Sequence, residues 1–422
     1  MTDRELLVDL YRQALGAVEG ERSVRHALER ADPGPGPFEL LAAGKAACAM
    51  ARGARSALGE RCRGGSVVTK DGHALALPGL EVHEAAHPLP DARSVAAAEE
   101  ALAVAQACAA SSTLLVLLSG GASALWTAPV APLTLADKRK ASDVLLRAGA
   151  DIRALNTVRK HLSRIKGGGL LRAARSARVL TLAISDVAGD APELIGSGPT
   201  TADPSTYADA LAVLRDTGTE FEVPGAVRAH LEAGSGGRLP ETLKPADPSL
   251  KRAEYRIVAT LSDALEAAAS GGEARGLRVQ RLGEVLYGEA RELARTLAHE
   301  VEAARAQGME LLVAGGEPTV QVRGSGRGGR AQELALAFLL ELQDTAGVTA
   351  LFAGSDGTDG PTDAAGGIVD AESWSRARTL GLDAPGYLER NDSYPFLQAT
   401  GDLFVTGPTH TNVTDLALIR MR

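Results

Sequence analysis

The residues best placed to do chemistry are cations where a buried strand hands over to a helix. In LLAAGKAACAM the apolar run turns through Gly44 and sets Lys45 in the first turn of a helix expected to run to about Leu58. A cation at that end opposes the helix macrodipole by roughly 0.3–1 kcal/mol, unless an anion is shared between the ammonium and the free amides. An anionic ligand is one reading and a solvated lysine the other. A Walker A loop is excluded, because G-x-x-x-x-G-K-[ST] needs Gly at position 39 and Ser or Thr at 46, where the chain has Glu39 and Ala46. The second cationic helix start is GSGRGGRAQE, with Arg327 and Arg330 among Gly324, Gly326 and Gly329. Its glycines spell G-x-G-x-x-G, so a dinucleotide site has to be weighed. Against it, the preceding VQVRG is short and polar where such a site needs a buried strand. The acidic residue roughly twenty positions on, Asp344, falls in the tail of a helix instead of ending the next strand. Arginine there suits a polyphosphate in transfer better, since a guanidinium stabilises charge on a moving phosphoryl group.

Five further stretches carry polar groups, most of them at strand ends. LLVLLSGGASALW runs a buried strand into Ser119, Gly120, Gly121 and Ser123, whose backbone amides can point at an anion, a tight turn being the alternative. A nucleophile elbow G-x-S-x-G fails there at Leu125. In DIRALNTVRKHLSRIKGGGLL, the residues Asn156, Arg159, Lys160, Arg164 and Lys166 crowd before a triple glycine, and helical spacing puts Asn156, Arg159 and Lys160 on one face. Such a stripe suits a carboxylate or a phosphate; His161 within it reads as a structural hydrogen-bonding residue. LAISDVAGDAPELIGSGPTTADP ends a strand at Asp186, with Asp190 and Glu193 in the following loop. These are the oxygen ligands Mg²⁺ takes alongside substrate phosphates, while turn formation accounts for Asp203 before Pro204. LFAGSDGTDGPTDAAGG carries Asp356, Asp359 and Asp363 without the pattern of an EF-hand, and TGPTHTNV adds Thr406, Thr409, Thr411 and Asn412 as the wall of a polar cleft.

The elements that must hold these groups follow an α/β grammar. Short apolar runs such as FELLAA, TLLVLLS, RVLTLAIS, ELLVAGG and VTALFAGS alternate with helical patterns, which predicts largely parallel sheets flanked by helices, with ligands at the carboxyl ends of strands. The Gly- and Pro-rich segment between Ala233 and Leu250 reads as the boundary between a Rossmann-like domain over 1–240 and a second α/β domain over 251–422. The chain of 422 residues has 45 Lys and Arg against 53 Asp and Glu, so it lacks the basic field that nucleic-acid binding uses, and at 3% aromatic residues it also lacks stacking platforms. Eight of the basic residues are lysines, none after Lys251, which leaves anion binding in the second half to arginine or backbone amides. Cys48, Cys62 and Cys108 form neither a disulfide framework nor a zinc pattern, and a cytoplasmic protein is expected. The amphipathic N-terminus is not a signal peptide, and no run approaches a membrane span.

Taken together, GKAA, HPLPD, LLSGGASAL, LNTVRKHLSRIKGGGL, SDVAGD, IGSGPT, GGEPTV, GRGGRAQE, GTDGPTDAAG and TGPTHTNV occur in an order that resembles the class II glycerate 2-kinases, over about residues 40 to 415. The resemblance implies two α/β domains facing an active-site cleft, the second being the family's MOFRL domain. It implies ATP- and Mg²⁺-dependent phosphorylation of D-glycerate at its 2-hydroxyl, giving 2-phosphoglycerate and ADP. It also implies roles for Lys45 and Arg330, taken here as lying on opposite sides of the transferred phosphoryl group. The family often has Asn after that arginine, where this chain has Ala331. Within this frame Asp186 holds Mg²⁺ or activates the glycerate hydroxyl, with Asp190 and Asp356 as further metal ligands. Ser119, Gly120, Gly121, Ser123, Asn156, Arg159, Lys160, Lys166, Gly316, Glu317, Arg327 and Thr409 bind substrate or phosphate. D-glycerate and ATP are the expected partners, with no nucleic acid or membrane, and a homo-oligomer is left open. The alternatives are an NAD(P)-dependent hydroxypyruvate reductase, resting on the G-x-G-x-x-G, and a non-catalytic anion-binding protein.

Overall fold

The computed structural model describes residues 1–422 except 32, 35, 177 and 343–345, so Asp344 lies outside the described residues. It divides into two units, Gly20–Val258 and Met1–Glu19 together with Ala259–Arg422.

The Gly20–Val258 unit is built on six strands: β1 (Phe38–Ala43), β2 (Cys62–Lys70), β3 (Glu81–Ala85), β4 (Thr113–Leu118), β5 (Arg178–Ile184) and β6 (Ala253–Ala259), in the order β3-β2-β1-β4-β5-β6. β1 to β5 pair in parallel. β4 is buried at every position, as its unbroken TLLVLL run requires of a strand covered on both faces. The strand order reverses between β1 and β4, and an open α/β sheet forms its ligand crevice beyond the carboxyl ends at such a switch point. Gly44 follows β1 and Ser119 follows β4, so topology alone brings together the two loops that the sequence singles out.

The other unit has β7 (Val279–Glu284), β8 (Gly288–Glu289), β9 (Leu311–Gly316), β10 (Pro318–Thr319), β11 (Val348–Gly354), β12 (Gly366–Asp370), β13 (Leu403–Phe404) and β14 (Asp415–Met421). Six of them form a sheet in the order β13-β12-β11-β14-β9-β7, and β8 pairs with β10. Here the expectation of a largely parallel sheet needs correction: only β7–β9 is parallel, and the other four pairings are antiparallel. A strand buried on both faces looks the same in either direction, so composition could not distinguish them.

The boundary also differs from the sequence reading. β6 completes the first sheet, and Leu243, in the middle of the supposed linker, is fully buried, with backbone bonds to Gly167 and Asp203. The chain therefore passes to the other unit at Ala259 rather than between 240 and 251. The N-terminal helix Asp3–Ala17 belongs with that later unit: Leu7, Leu10 and Tyr11 are fully buried and the Tyr11 hydroxyl donates to Gly354 O at 2.7 Å. An amphipathic helix has no stability of its own and goes where its apolar stripe is covered. Among the described residues no helix is long and apolar enough to cross a membrane.

The helix Ala47–Leu58, which follows Lys45, lies so close to Gly20–Arg30 that an added Cβ at Gly53 would run into the backbone of Glu21. Gly53→Ala is expected to destabilise the protein by about 1–3 kcal/mol, as overpacking does. Thermal unfolding followed by circular dichroism would show this as a lowered Tm; an unchanged Tm would mean that the helices part without cost.

Candidate active site

Two turns form the crevice at the switch point. Lys45 N donates to Gly120 O at 2.9 Å, Ser119 N to Ala43 O at 3.1 Å, and Ala46 N to the Ser119 hydroxyl at 3.0 Å, which ties the loop after β1 to the loop after β4. Gly44 has φ +131° and packs directly on Ser119, leaving no room for a side chain. Gly121, at φ +88°, begins the short turn Ala122–Leu125; a Cβ there would stand 3.1 Å from the His87 ring and 3.6 Å from the Lys45 side chain. Lys45 and His87 therefore flank Gly121. The helix proper starts at Ala47, so Lys45 lies in the turn ahead of it and not in its first turn.

Beside the glycine loop is a cavity of about 350 Å³, whose lining includes His87, Gly121, Ser123, Lys138, Arg159 and Lys166. The elements explain how the cations arrive there. Thr134 and Asp137 form a capping box that starts the helix Leu135–Arg147, and Lys138, in its first turn, is buried with Nζ donating to Leu162 O at 3.0 Å. Asp151 caps the helix Ile152–His161, whose last turn holds Arg159 and Lys160, where the macrodipole favours cations. Arg159 Nε donates to the Ser142 hydroxyl at 3.2 Å. Lys166, in the turn beyond, is buried and donates to both the carbonyl and the hydroxyl of Ser123 at 2.7 Å. Ser123 Oγ lies 2.8 Å from Ser197 Oγ, which in turn donates to Asn156 Oδ1 at 3.2 Å.

The expected stripe of Asn156, Arg159 and Lys160 is thus divided by burial. Asn156 belongs to the serine chain and Arg159 to the cavity, whereas Lys160 pairs with Asp203 at 3.4 Å and does not line it. Asp203 is fully buried; Lys160 holds it below the usual carboxylate range although burial acts against its charge. It also accepts from Ser205 N at 3.1 Å, so the turn expected at Asp203 is present together with an ion pair that sequence did not reveal. His161 is structural, as read: its ring bonds Thr157 O at 2.8 Å and lies against Tyr207.

Each cavity cation bonds a neutral oxygen, and their charges oppose one another. Burial, then the charge of Arg159, pushes Lys138 down to about 7. Burial, then Lys138, Arg159 and Lys160, pushes Lys166 well below the usual lysine range. Burial likewise lowers Arg159.

Of the acids read as metal ligands, Asp186 is part-exposed just after β5, and Asp190 has φ +53° in the loop that follows. The Tyr255 phenol is raised by burial and then by the charges of Asp186 and Glu193, which both face it. Asp356 lies in the other unit, where one of its carboxylate oxygens accepts from Thr358 N at 2.9 Å. The one group of three potential ligands within 4.8 Å of one another among the described residues is Glu81, His83 and Glu100, which includes none of them.

In the later unit, Arg330 opens the helix Arg330–Glu341 and makes a bidentate pair with Asp415, at 2.7 and 2.9 Å, plus a contact to Glu317. Asp359 caps the same helix, accepting from Ala331 N at 3.2 Å and Gln332 N at 2.8 Å; burial, then Asp415, pushes it up to about 7. Thr409 donates to the carbonyls of Ser355 and Asp356 and so shapes that loop. Arg327 stacks over Tyr394 at 4.0 Å and faces Asp363. Gly316, with φ +148°, packs against the backbone of Leu286. The G-x-G-x-x-G amides are engaged by the 390–392 loop: Gly324 N donates to Asn391 Oδ1 at 3.0 Å, Gly326 N to Arg390 O at 3.0 Å and Arg327 N to Asp392 Oδ1 at 2.8 Å. A dinucleotide pyrophosphate would find those donors occupied.

Sequence reasoning missed Lys138 and Asp415, named Asp359 and Ser197 in their loops without assigning them a role, and quoted His87 only inside a motif. Lys138 sits in ADKRKASD, a run that reads as a solvated helix face. Asp415 carried a signal, being an acid at the threshold of the apolar strand LALI.

Two family models match the chain, one described as a domain of unknown function (DUF4147) over residues 6–247, the other as the MOFRL family over 310–415. The chain is 37% identical over 421 residues to the D-glycerate 2-kinase of Thermotoga maritima, covering 98% of this chain and 97% of that one. It is 43% identical over 387 residues, 90% of this chain and 86% of the relative, to an Agrobacterium vitis protein provisionally named hydroxypyruvate reductase. The crystal structure of glycerate kinase from T. maritima matches with a TM-score of 0.86 at 36% sequence identity, over 99% of each chain.

The cation cluster makes stability depend on pH. Between about pH 7 and the ordinary lysine value of 10.5, Lys138 carries its proton in the unfolded chain and not in the folded one. The unfolded state then binds more protons, so this residue makes stability rise with pH across that window, and its full penalty is present below it. Lys138→Met is expected to raise Tm near pH 6–7 and to flatten the rise towards pH 10. A Tm–pH series with the same slope in both proteins would refute this.

Proposed function

The chain belongs to the glycerate kinase family that carries a MOFRL domain, and from that premise we propose that it phosphorylates D-glycerate at the 2-hydroxyl with ATP, giving 2-phosphoglycerate and ADP. The observation in the molecule that best supports phosphoryl transfer is the switch-point crevice, where Lys45 and the Ser119–Ser123 loop lie beside buried cations. Phosphoryl transfer asks a protein mainly to position reactants and neutralise charge, and those are the resources found here.

In this reading the glycine-loop amides and Lys45 hold phosphoryl oxygens, with Ser119, Gly120, Gly121 and Ser123 fixing the approach. Lys166 and Asn156 keep Ser123 and Ser197 in place. To Asp186, which follows β5, this reading assigns acceptance of the proton of the attacking hydroxyl or the binding of a divalent cation. A divalent cation, if held by Asp186, would supply positive charge to offset that of the phosphates. Arg330, fixed by Asp415, supplies a preorientated guanidinium for the developing negative charge. The free, buried thiols of Cys48, Cys62 and Cys108 support the cytoplasm as the compartment.

A reductase is disfavoured by the occupied amides of the G-x-G-x-x-G segment. Incubating the protein with ATP, Mg²⁺ and D-glycerate should give a 2-phosphoglycerate signal in phosphorus NMR that matches ADP formation. A 3-phosphoglycerate signal, or reduction of hydroxypyruvate by NADH without transfer, would overturn the assignment. Lys45→Ala should lower kcat by at least about 10²-fold with an unchanged Tm, on the scale of other electrostatic catalytic groups. Arg330→Lys, which keeps a charge beside Asp415, should also lose most activity if the planar guanidinium matters; near-normal turnover in both variants would remove these residues from the mechanism.

A further inference from the structure

The cavity of the Gly20–Val258 unit has two chemically different parts. Its inner wall carries the buried side-chain nitrogens of Lys138 and Lys166 and the guanidinium of Arg159, each bonded to a neutral oxygen. The acid in its lining, Asp143, is already engaged with Arg147 at 3.1 Å on its own helix. Its rim is apolar. Leu89 and Leu146 line it while 63% and 55% exposed, with Pro88 and Pro90 beside Leu89. A leucine left that open to water at the mouth of a charged cavity is an unfavourable arrangement that a flat apolar group would relieve.

We propose that this cavity seats the nucleoside triphosphate, its base between Leu89–Pro90 and Leu146 and its phosphates over Lys138, Arg159 and Lys166. The assignment rests on the kinase reading above and deepens it by deciding which reactant the cavity serves. Three features favour the nucleotide over glycerate. A three-carbon acid fills a small part of about 350 Å³, a volume in the range of pockets for larger ligands. A single carboxylate can engage one or two of the four basic side chains in the lining, Lys138, Arg139, Arg159 and Lys166, whereas a polyphosphate can engage more of them and favour their protonated forms. Glycerate also has no apolar surface to cover the two leucines. The inner end of the cavity meets Gly121 and Ser123, so a phosphate chain entering over the cations ends beside Lys45.

The test uses Leu89→Glu and Leu146→Glu, both at exposed positions where folding is not at stake, with Tm measured as a control. ADP binding is followed by calorimetry, inorganic tripolyphosphate is the probe for the cationic wall, and KM is measured separately for ATP and D-glycerate. Each variant should weaken ADP and raise KM for ATP at least tenfold, leave KM for D-glycerate within twofold, and leave the tripolyphosphate Kd within threefold. Lys138→Gln, if its Tm shows it folded, should weaken tripolyphosphate at least tenfold. A rise in KM for D-glycerate with KM for ATP unchanged would hand the cavity to the acceptor and overturn the proposal. So would active variants with neither KM altered. Absence of phosphoryl transfer in the unaltered protein would instead defeat the kinase reading, and ADP binding lost in Leu146→Glu would still uphold the cavity as a nucleotide site.

Discussion

Buried positive charge is the constraint on which the rest of the Gly20–Val258 unit depends. Taking an ammonium out of water costs several kcal/mol even after relaxation, and the unit does so with Lys138, Lys160 and Lys166 within one region. Lys160 is paired with Asp203, whereas among the described residues the other two bond neutral oxygens. That difference organises the neighbourhood. Lys166 fixes Ser123, Ser123 meets Ser197, and Ser197 reaches Asn156, so a chain of small polar groups exists to satisfy a cation that has no carboxylate. An anion arriving from solvent completes the electrostatics that the fold leaves incomplete, and the sheet's switch point supplies the opening through which it can arrive.

The later unit has the opposite imbalance. Asp356, Asp359 and Asp415 are all buried, and Arg330 is the cation set against them. The acids are satisfied by different means: Asp415 by the guanidinium, Asp359 by the first amides of a helix, Asp356 by the Thr358 amide. Asp359 is pushed up to about 7, largely by burial, so near neutral pH it is charged only in part. A bidentate pair at the start of a helix fixes the plane of the guanidinium as well as its position, which a lysine could not do.

What could be read from the sequence was what depends on local order along the chain. The β4 run, the turn through Gly44, and the Ser-Gly-Gly loop were legible because strand burial and helix starts are set by neighbouring residues. The switch point itself depends on which strands pair, and nothing in FELLAA or TLLVLLS states that β1 lies beside β4. Lys138 was invisible for the same reason: in ADKRKASD it is one of several charges, and only the packing of its helix against Leu162 turns it inward. The parallel reading of the second sheet failed because burial on both faces erases the alternation that marks an antiparallel strand. The boundary reading failed because the leucines of this Gly- and Pro-rich segment, Leu239, Leu243 and Leu250, show no periodicity along the chain, yet they pack on the first unit's core, and Leu243 adds backbone bonds to Gly167 and Asp203.

The two glycine-rich loops show why motif and function separate. Gly324, Gly326 and Gly329 match a dinucleotide fingerprint in spacing, yet their absence of side chains serves close packing, since a Cβ at Gly324 or Gly326 would collide with Arg390 and one at Gly329 with Asp359. The amides of Gly324, Gly326 and Arg327 are committed to the 390–392 loop. Ser119-Gly120-Gly121 matches no complete fingerprint, but it follows a buried parallel strand at the switch point and is flanked by Lys45 and His87. Glycine permits close approach without saying to what. The discriminating property is whether the backbone donors that approach exposes already have partners within the fold, and that is fixed by tertiary structure.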